Sequence, residues 1–231
     1  MTTAGVPADS WVQRAVERSA AVQRSRVRIA KQVRQLLDAA RRLIAAKGDD
    51  EFTTQELVTE AGVALQTFYR YFGSKDELLL AVIADAMTEA CERWVEGAAA
   101  LPDPLARVRY YITSALGRLD GDSHHGAMLR FIVSTRWRLH RLFPKELAEV
   151  EMPFVDLLRG EINAAVEAGL LNPTDPEWDS WFLGELTRSV FHFYAFADHA
   201  DGELDDVKEQ LWRFCLTALG GSPTQQKGVV Q

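Results

Sequence analysis

In "RVRIAKQVRQLLDAARRLIAAKG", residues 26–48, apolar side chains recur at Val27, Ala30, Val33, Leu37, Ala40 and Ile44. Steps of three and four place them on one helix face and leave Arg28, Lys31, Gln35 and Arg42 outside. Gly48 supplies the stop. The next helix opens at Thr53 with Glu56 three residues on, a capping box in which hydroxyl and carboxylate each satisfy an orphan amide, and it ends at Gly62. A short helix then crowds Phe68, Tyr69, Tyr71 and Phe72 together. After it, Ser74 is a suitable N-cap, Asp76 and Glu77 suit a helix N-terminus, and Pro102 terminates the long apolar pattern that follows. Further helices are expected at roughly 103–120, 126–142, 144–170, 175–198 and 203–219. The segments "LPDP", "DGDSHHG", "FPKE", "LLNPTDPE", "DHADGE" and "LGGSP" read as the loops between them. No alternating run is long enough to compete as a strand, so the expected fold class is all-α.

The 231 residues are 47% hydrophobic, enough for one sizeable core or two small ones sharing a helix. The longest apolar run, "LLLAVIA", stops at Asp85, far short of a membrane span, and "MTTAGVPADSW" has no apolar signal segment; a cytoplasmic protein is expected. Cys91 and Cys215 lack metal-ligand spacing and read as buried reduced thiols. The net charge of −7 is unevenly spread. Residues 11–48 carry ten Lys or Arg against two acids, a local +8, whereas from residue 80 onward 14 basic residues face 23 acidic ones, a local −9. A basic head that meets a polyanion, joined to an acidic body, fits this asymmetry; a solvated helix face fits the charge alone equally well.

Three short helices, the second and third joined at Gly62, have the form of a helix-turn-helix unit, whose third helix enters the major groove. This gives the crowded aromatics a division of labour. Phe68 and Phe72, four apart, anchor the helix with Val63 and Leu65 nearby. Tyr69 and Tyr71 point away from that seam, and Gln66, Thr67 and Arg70 fill the remaining positions with groups used in base readout.

The segment "LLDAARRLIAAKGDDEFTTQELVTEAGVALQTFYRYFGSKDELLLAVI" resembles the DNA-binding segment of the TetR family of bacterial transcriptional regulators, through "FTTQEL", "AGV", "TFYRYF" and "SKDELL". The resemblance implies that Thr53 and Thr54 face the DNA backbone, that Tyr69 and Lys75 contact phosphates, and that Leu65, Gln66, Thr67, Arg70 and Tyr71 are the candidates for reading bases. It departs at Ala64, where many members have a serine that caps the third helix. Residues 1–25 read as a basic arm whose Arg14, Arg18 and Arg24, followed by Arg28, are placed to contact phosphates or the minor groove; packing of Trp11 and Val22 on the body, or a disordered tail, are the alternatives. Residues 26–74 would be the helix-turn-helix domain, 75–221 the effector-binding and dimerisation domain, and 222–231 a frayed tail.

In such proteins the body binds a small molecule and pairs the last two long helices with their copies. The dimer candidates are Trp181, Phe182, Val190, Leu211 and Phe214, and a two-fold dimer predicts a roughly palindromic operator. Trp94, Tyr110, Tyr111, Met128, Phe131, Trp137, Phe154 and Phe193 are candidates for lining an apolar, aromatic effector site, with ordinary core packing as the alternative for each. Arg136, Arg138 and Arg141 read as solvated surface. His124 and His125, beside Asp120 and Asp122, lack the second half of a metal motif, and His192 and His199 are given no role. There is no glycine-rich phosphate loop and no nucleophile elbow, so neither enzyme activity nor a cofactor is expected. The expected function is a homodimeric repressor released from DNA by a hydrophobic effector. An all-α carrier or enzyme with an incidental helix-turn-helix, or a non-specific nucleoid-type binder, are the rivals that charge distribution and the missing catalytic motifs count against.

Overall fold

A computed structural model describes residues 20–117, 123–197 and 202–221. Arg14, Arg18 and Trp11 of the arm, Asp120, Asp122, His199 and the tail after residue 221 lie outside the described residues, as do the side chains of His124 and His125. The described residues contain nine helices and no strand: α1 Ala20–Lys47, α2 Thr54–Ala61, α3 Leu65–Tyr71, α4 Lys75–Ala98, α5 Pro104–Leu116, α6 Ser123–Leu142, α7 Pro144–Glu167, α8 Pro176–Tyr194 and α9 Glu203–Ala218. They fall into two compact units, one built from the chain up to Leu43 and Phe52–Leu78, the other from Ile44–Glu51 and the chain from Leu79 onward.

In the first unit, α1 contributes Leu36, Leu37, Ala39 and Ala40 to the core, α2 contributes Leu57, Val58 and Ala61, and α3 contributes Phe68. The expected stripe on α1 begins later than its periodicity indicates. Val27 is 69% exposed and Ala30 is exposed as well, because the packed face starts only near Leu36. Local punctuation follows the side chains. Thr53 and Glu56 make both bonds of the capping box, and Gly62 closes α2 with φ 66°, a left-handed geometry that costs glycine no Cβ clash. Ser74 Oγ accepts from the Glu77 amide at 3.1 Å at the start of α4.

The second unit packs α7 against α5, α6 and α8, and α9 against α5 and α8. Its core gathers Val108, Tyr111, Ile112 and Leu116 from α5, Phe154, Leu158 and Ile162 from α7, Leu183 from α8, and Leu211, Trp212, Cys215 and Leu216 from α9. On α4, Gly97 is required by a close approach: a Cβ there would sit 2.0 Å from the Tyr110 hydroxyl. The loop expected over residues 120–126 is shorter than its composition indicates, since α6 already starts at Ser123 and takes His124, His125 and Gly126 into its first turns. Burial pushes the Cys215 thiol up to about 12 and that of Cys91 up to about 11, so both are protonated and unreactive at neutral pH. Among the described residues no helix is long and apolar enough to cross a membrane.

Candidate nucleic-acid interface

The reading surface is made by two rings that sink and several polar side chains that do not. Phe68 is fully buried and Phe72 nearly so, their centroids 5.9 Å apart, and together they fasten the seven-residue α3 to the unit's core. A helix this short is marginal by itself in water, so that anchoring is what holds its outer face in one orientation. On that outer face Gln66 is exposed, Leu65 is 39% exposed and Tyr69 is 58% exposed, with Thr67 half-buried. Tyr69 is held edge-on to Phe68 at 5.1 Å, which stiffens its ring and leaves its hydroxyl outward. Leu65, near Phe68 in the chain, stands at the exposed N-terminus of α3. Ala64 occupies the N-cap of α3 with extended backbone and no side-chain hydrogen bond, as its missing hydroxyl requires.

Around this face lie the other sequence-predicted contacts. Thr53 is exposed and Thr54 half-buried at the start of α2. Lys75 opens α4 with its ammonium 4.6 Å from the Phe52 ring centroid, and Arg24 and Arg28 are exposed on α1. Two of the expected base readers are engaged elsewhere. The Tyr71 hydroxyl donates to Gln32 Oε1 at 2.6 Å, and Arg70 Nη2 donates to the same oxygen at 3.1 Å and to the Tyr71 oxygen at 3.0 Å. Tyr71 is accordingly half-buried, and its hydroxyl does not point free of the seam. Gln32 was missed because its partners lie 38 and 39 residues away in the chain.

The effector candidates separate into three groups. Trp94, Tyr110, Tyr111 and Phe154 come together around the core of the second unit, with Trp94 and Phe154 5.2 Å apart. Phe131 is fully buried and Met128 half-buried on α6, outside that cluster. Trp137 and Phe193, 67% and 68% exposed, line no interior site within the protomer, because each falls on the outer side of its helix. Of the dimer candidates, Trp181, Phe182 and Phe214 are exposed, Val190 is half-buried against the core, and Leu211 is buried in the protomer's own core. Leu211 is thus a core residue: the buried stripe of α9 runs through Leu204, Leu211, Cys215 and Leu219, and Phe214 lies off it.

Residues 36–82 match the profile described as bacterial regulatory proteins, tetR family. The match takes in the end of α1, all of α2 and α3 and the start of α4. It is 24% identical over 136 residues to the fatty acid metabolism regulator protein of Bacillus subtilis, covering 58% of this chain and 68% of that protein. It is 39% identical over 56 residues to the HTH-type transcriptional regulator BetI of Brucella anthropi, a match confined to 24% of this chain and 29% of that one. In fold it is similar to the crystal structure of FadR from Bacillus subtilis in complex with stearoyl-CoA, with a TM-score of 0.63 at 18% identity over 80% of this chain and 97% of that one.

The matched residues contain the α2–turn–α3 unit, and these similarities support a DNA-binding regulator. A polar cluster in the body escaped sequence reading. Arg136 of α6 forms a two-point ion pair with Glu151 of α7 at 2.7 and 3.1 Å, and Arg188 of α8 approaches Glu151 at 3.5 Å while pairing with Glu185. Arg136 is therefore not the solvated surface residue expected; 14% of its side chain is exposed. A cavity of about 180 Å³ beside this cluster is lined by His140, Met152 and Trp181 among others. Burial, helped by Arg136 and Arg188, lowers the His192 pKa to about 4. No group of His, Cys, Asp and Glu suited to a metal occurs among the described residues.

Proposed function

We propose that this cytoplasmic regulator binds a roughly palindromic operator as a homodimer, most simply as a repressor, and leaves it when a hydrophobic small molecule enters the body. The observation that carries the reading is the anchored α3, whose buried Phe68 and Phe72 hold Leu65, Gln66 and Tyr69 outward between Thr53 and Lys75. Hydrogen-bonding and methyl-contacting groups on an exposed helix are the chemistry of major-groove reading, and the flanking hydroxyls and ammonium suit phosphates.

The effector reading is supported by the aromatic core of Trp94, Tyr110, Tyr111 and Phe154. In the same core Trp212 is fully buried, and its indole N–H has no hydrogen-bond partner among the described residues. An unpaired buried donor costs about 1–3 kcal/mol, and an acceptor on a bound molecule would recover part of it. The complex of the related FadR with stearoyl-CoA and the fatty-acid role in a relative's name favour an apolar effector. An effector that fits one arrangement of the body better than another shifts their populations by that difference in affinity. The route to the DNA is α4, whose first residues belong to the reading unit and whose remainder belongs to the body.

Selection of binding sites from random duplex DNA at near-physiological salt tests the first half. A consensus with two inverted half-sites about 34–36 Å apart, or a multiple of that, is expected. Folded protein that selected no sequence and lost its binding with added salt would refute operator recognition. Release of the selected duplex by hydrophobic acids and their thioesters tests the second half.

A further inference from the structure

The cavity between α6, α7 and α8 is walled by one face of each helix, and its two arginines keep unengaged donors. α6 contributes Arg136, α7 contributes Glu151, Met152 and Val155, and α8 contributes Trp181 and Arg188. Arg136 engages both oxygens of Glu151 through Nε and Nη2, at 2.7 and 3.1 Å. Arg188 engages only Nη1, with Glu185 and, at 3.5 Å, with the Glu151 oxygen that Arg136 Nη2 already holds. The edge of Arg188 formed by Nε and Nη2 has no partner among the described residues. Both arginine side chains are 14% exposed, so these donors are largely withdrawn from bulk water. Two N–H groups along one edge of a guanidinium match the two oxygens of a carboxylate.

The local charges favour an anion. Arg136, Arg188 and Glu151, the most buried members of the cluster, sum to one positive charge, whereas Glu185 is 37% exposed and its charge is screened by solvent. His192, one turn beyond Arg188 on α8, senses the same field: after burial, each arginine lowers its pKa by more than either glutamate raises it.

The rest of the wall sets the size and kind of ligand. The cavity measures about 180 Å³. An apolar cavity of about 150 Å³ is enough for a benzene ring, so a single ring with a small head group fits. Val155 is buried, and Met152 and Trp181, 38% and 39% exposed, offer a thioether and an indole against which a flat ring packs well. Trp181 is also a dimer candidate, but the arginines and the α7 wall are not, so the groups that would bind the ligand belong to one protomer.

We propose that this cavity is a second ligand site, for a small aromatic carboxylate whose head group takes the free edge of Arg188 while its ring rests against Met152 and Trp181. Its lining includes none of Trp94, Tyr110, Tyr111 and Phe154, and the proposal does not rest on operator binding.

The test is a titration of the full-length chain, with isotope-labelled methionine methyls, by benzoate at neutral pH. Met152 lines the cavity and Met87 packs against the aromatic core, so the two signals tell the sites apart. Saturable movement of the Met152 signal at about millimolar benzoate or below is expected, with Met87 unmoved. Arg188→Gln removes the paired donors and should weaken binding about tenfold to a hundredfold. Ala148→Phe, at an exposed lining position of α7, should abolish binding by filling the cavity while every charge stays in place. Benzyl alcohol, the same ring without the charge, should bind at least about tenfold more weakly than benzoate.

The proposal is overturned if benzoate moves Met87 and leaves Met152 in place, which would put the ring in the aromatic core, or if neither signal moves. It fails as well if inorganic phosphate or benzyl alcohol moves Met152 with the affinity of benzoate, since the ring or the carboxylate would then contribute nothing. Should Arg188→Gln not fold, Ala148→Phe decides: a folded variant that binds benzoate as the wild type does would place the ligand elsewhere.

Discussion

Gln66 and Lys75 border the same surface, but they meet different parts of a duplex. Gln66 is exposed on α3, where an amide pairs with adenine N6 and N7, whereas Lys75 offers a point charge at the start of α4. Gln66→Ala is therefore expected to change which base is preferred at one position per half-site, at about 1–3 kcal/mol for that base, in a competition assay across single-base operator variants. Lys75→Ala should weaken all sequences alike and lower the slope of log affinity against log salt by about one unit. Equal losses across all sequences for both variants would remove the base-reading role of Gln66. At Ala64, backbone angles of −73° and 147° already suit an N-cap, and only the side-chain acceptor is missing. Ala64→Ser should stabilise the protein by about 1 kcal/mol in urea denaturation. What sequence revealed at this scale was local. Thr53 with Glu56, and Phe68 with Phe72, are pairs three or four residues apart, and helix periodicity places such pairs together. The Gln32–Arg70–Tyr71 bonds join residues nearly forty apart, and no local rule brings them together.

At the scale of elements, punctuation was more legible than packing. Gly48, Gly62 and Ser74 end or begin helices where their chemistry predicts, because a cap is decided within one turn. Which face of α9 is buried depends on α5 and α8, and grouping Leu211 with Phe214 as dimer candidates joined a core residue to an exposed one. The polar cluster of the body illustrates the same limit, since its members come from α6, α7 and α8. It also sets a pH dependence. His192 on α8 is surrounded by Arg136 of α6, Glu151 of α7, and Arg188 and Glu185 of α8, and burial with the two arginines holds its folded pKa near 4. The ordinary value of 6.5 applies to the unfolded chain, so between these values the unfolded state binds more protons. Its contribution to stability is fully present above about pH 6.5 and is lost as the pH falls toward 4. Thermal melts between pH 7.5 and about 4 should show a smaller decline for His192→Asn than for the wild type; parallel curves would exclude His192 as the source.

For the whole molecule, the outer aromatics of the last two helices are the outstanding apolar surface. Trp178, Trp181 and Phe182 of α8 are 58%, 39% and 55% exposed, and Phe214 of α9 is 63% exposed. Trp178 and Phe182 lie 6.0 Å apart and Trp181 and Phe182 5.1 Å, so on α8 they form a continuous patch. With Phe193 and Phe196, 68% and 57% exposed, these side chains leave on the order of 600 Å² of aromatic surface in water. A stable interface buries about 800 Å² per partner, most of it around such anchors, and the exposed aromatics of α8 and α9 offer a large share of that area for a two-fold contact. Because a two-fold contact is self-complementary, one charge introduced into it appears twice and faces its own copy or apolar rings. Phe182→Glu and Phe214→Glu change exposed positions that support no core, so helicity and melting should persist while sedimentation reports monomers. Each monomer would then engage one half-site, and the salt dependence of operator binding should fall to about half the wild-type slope along with the affinity. A folded dimer in both variants would put the interface on another face. Monomers that retained the full slope would mean that both half-sites are filled without any contact between the bodies.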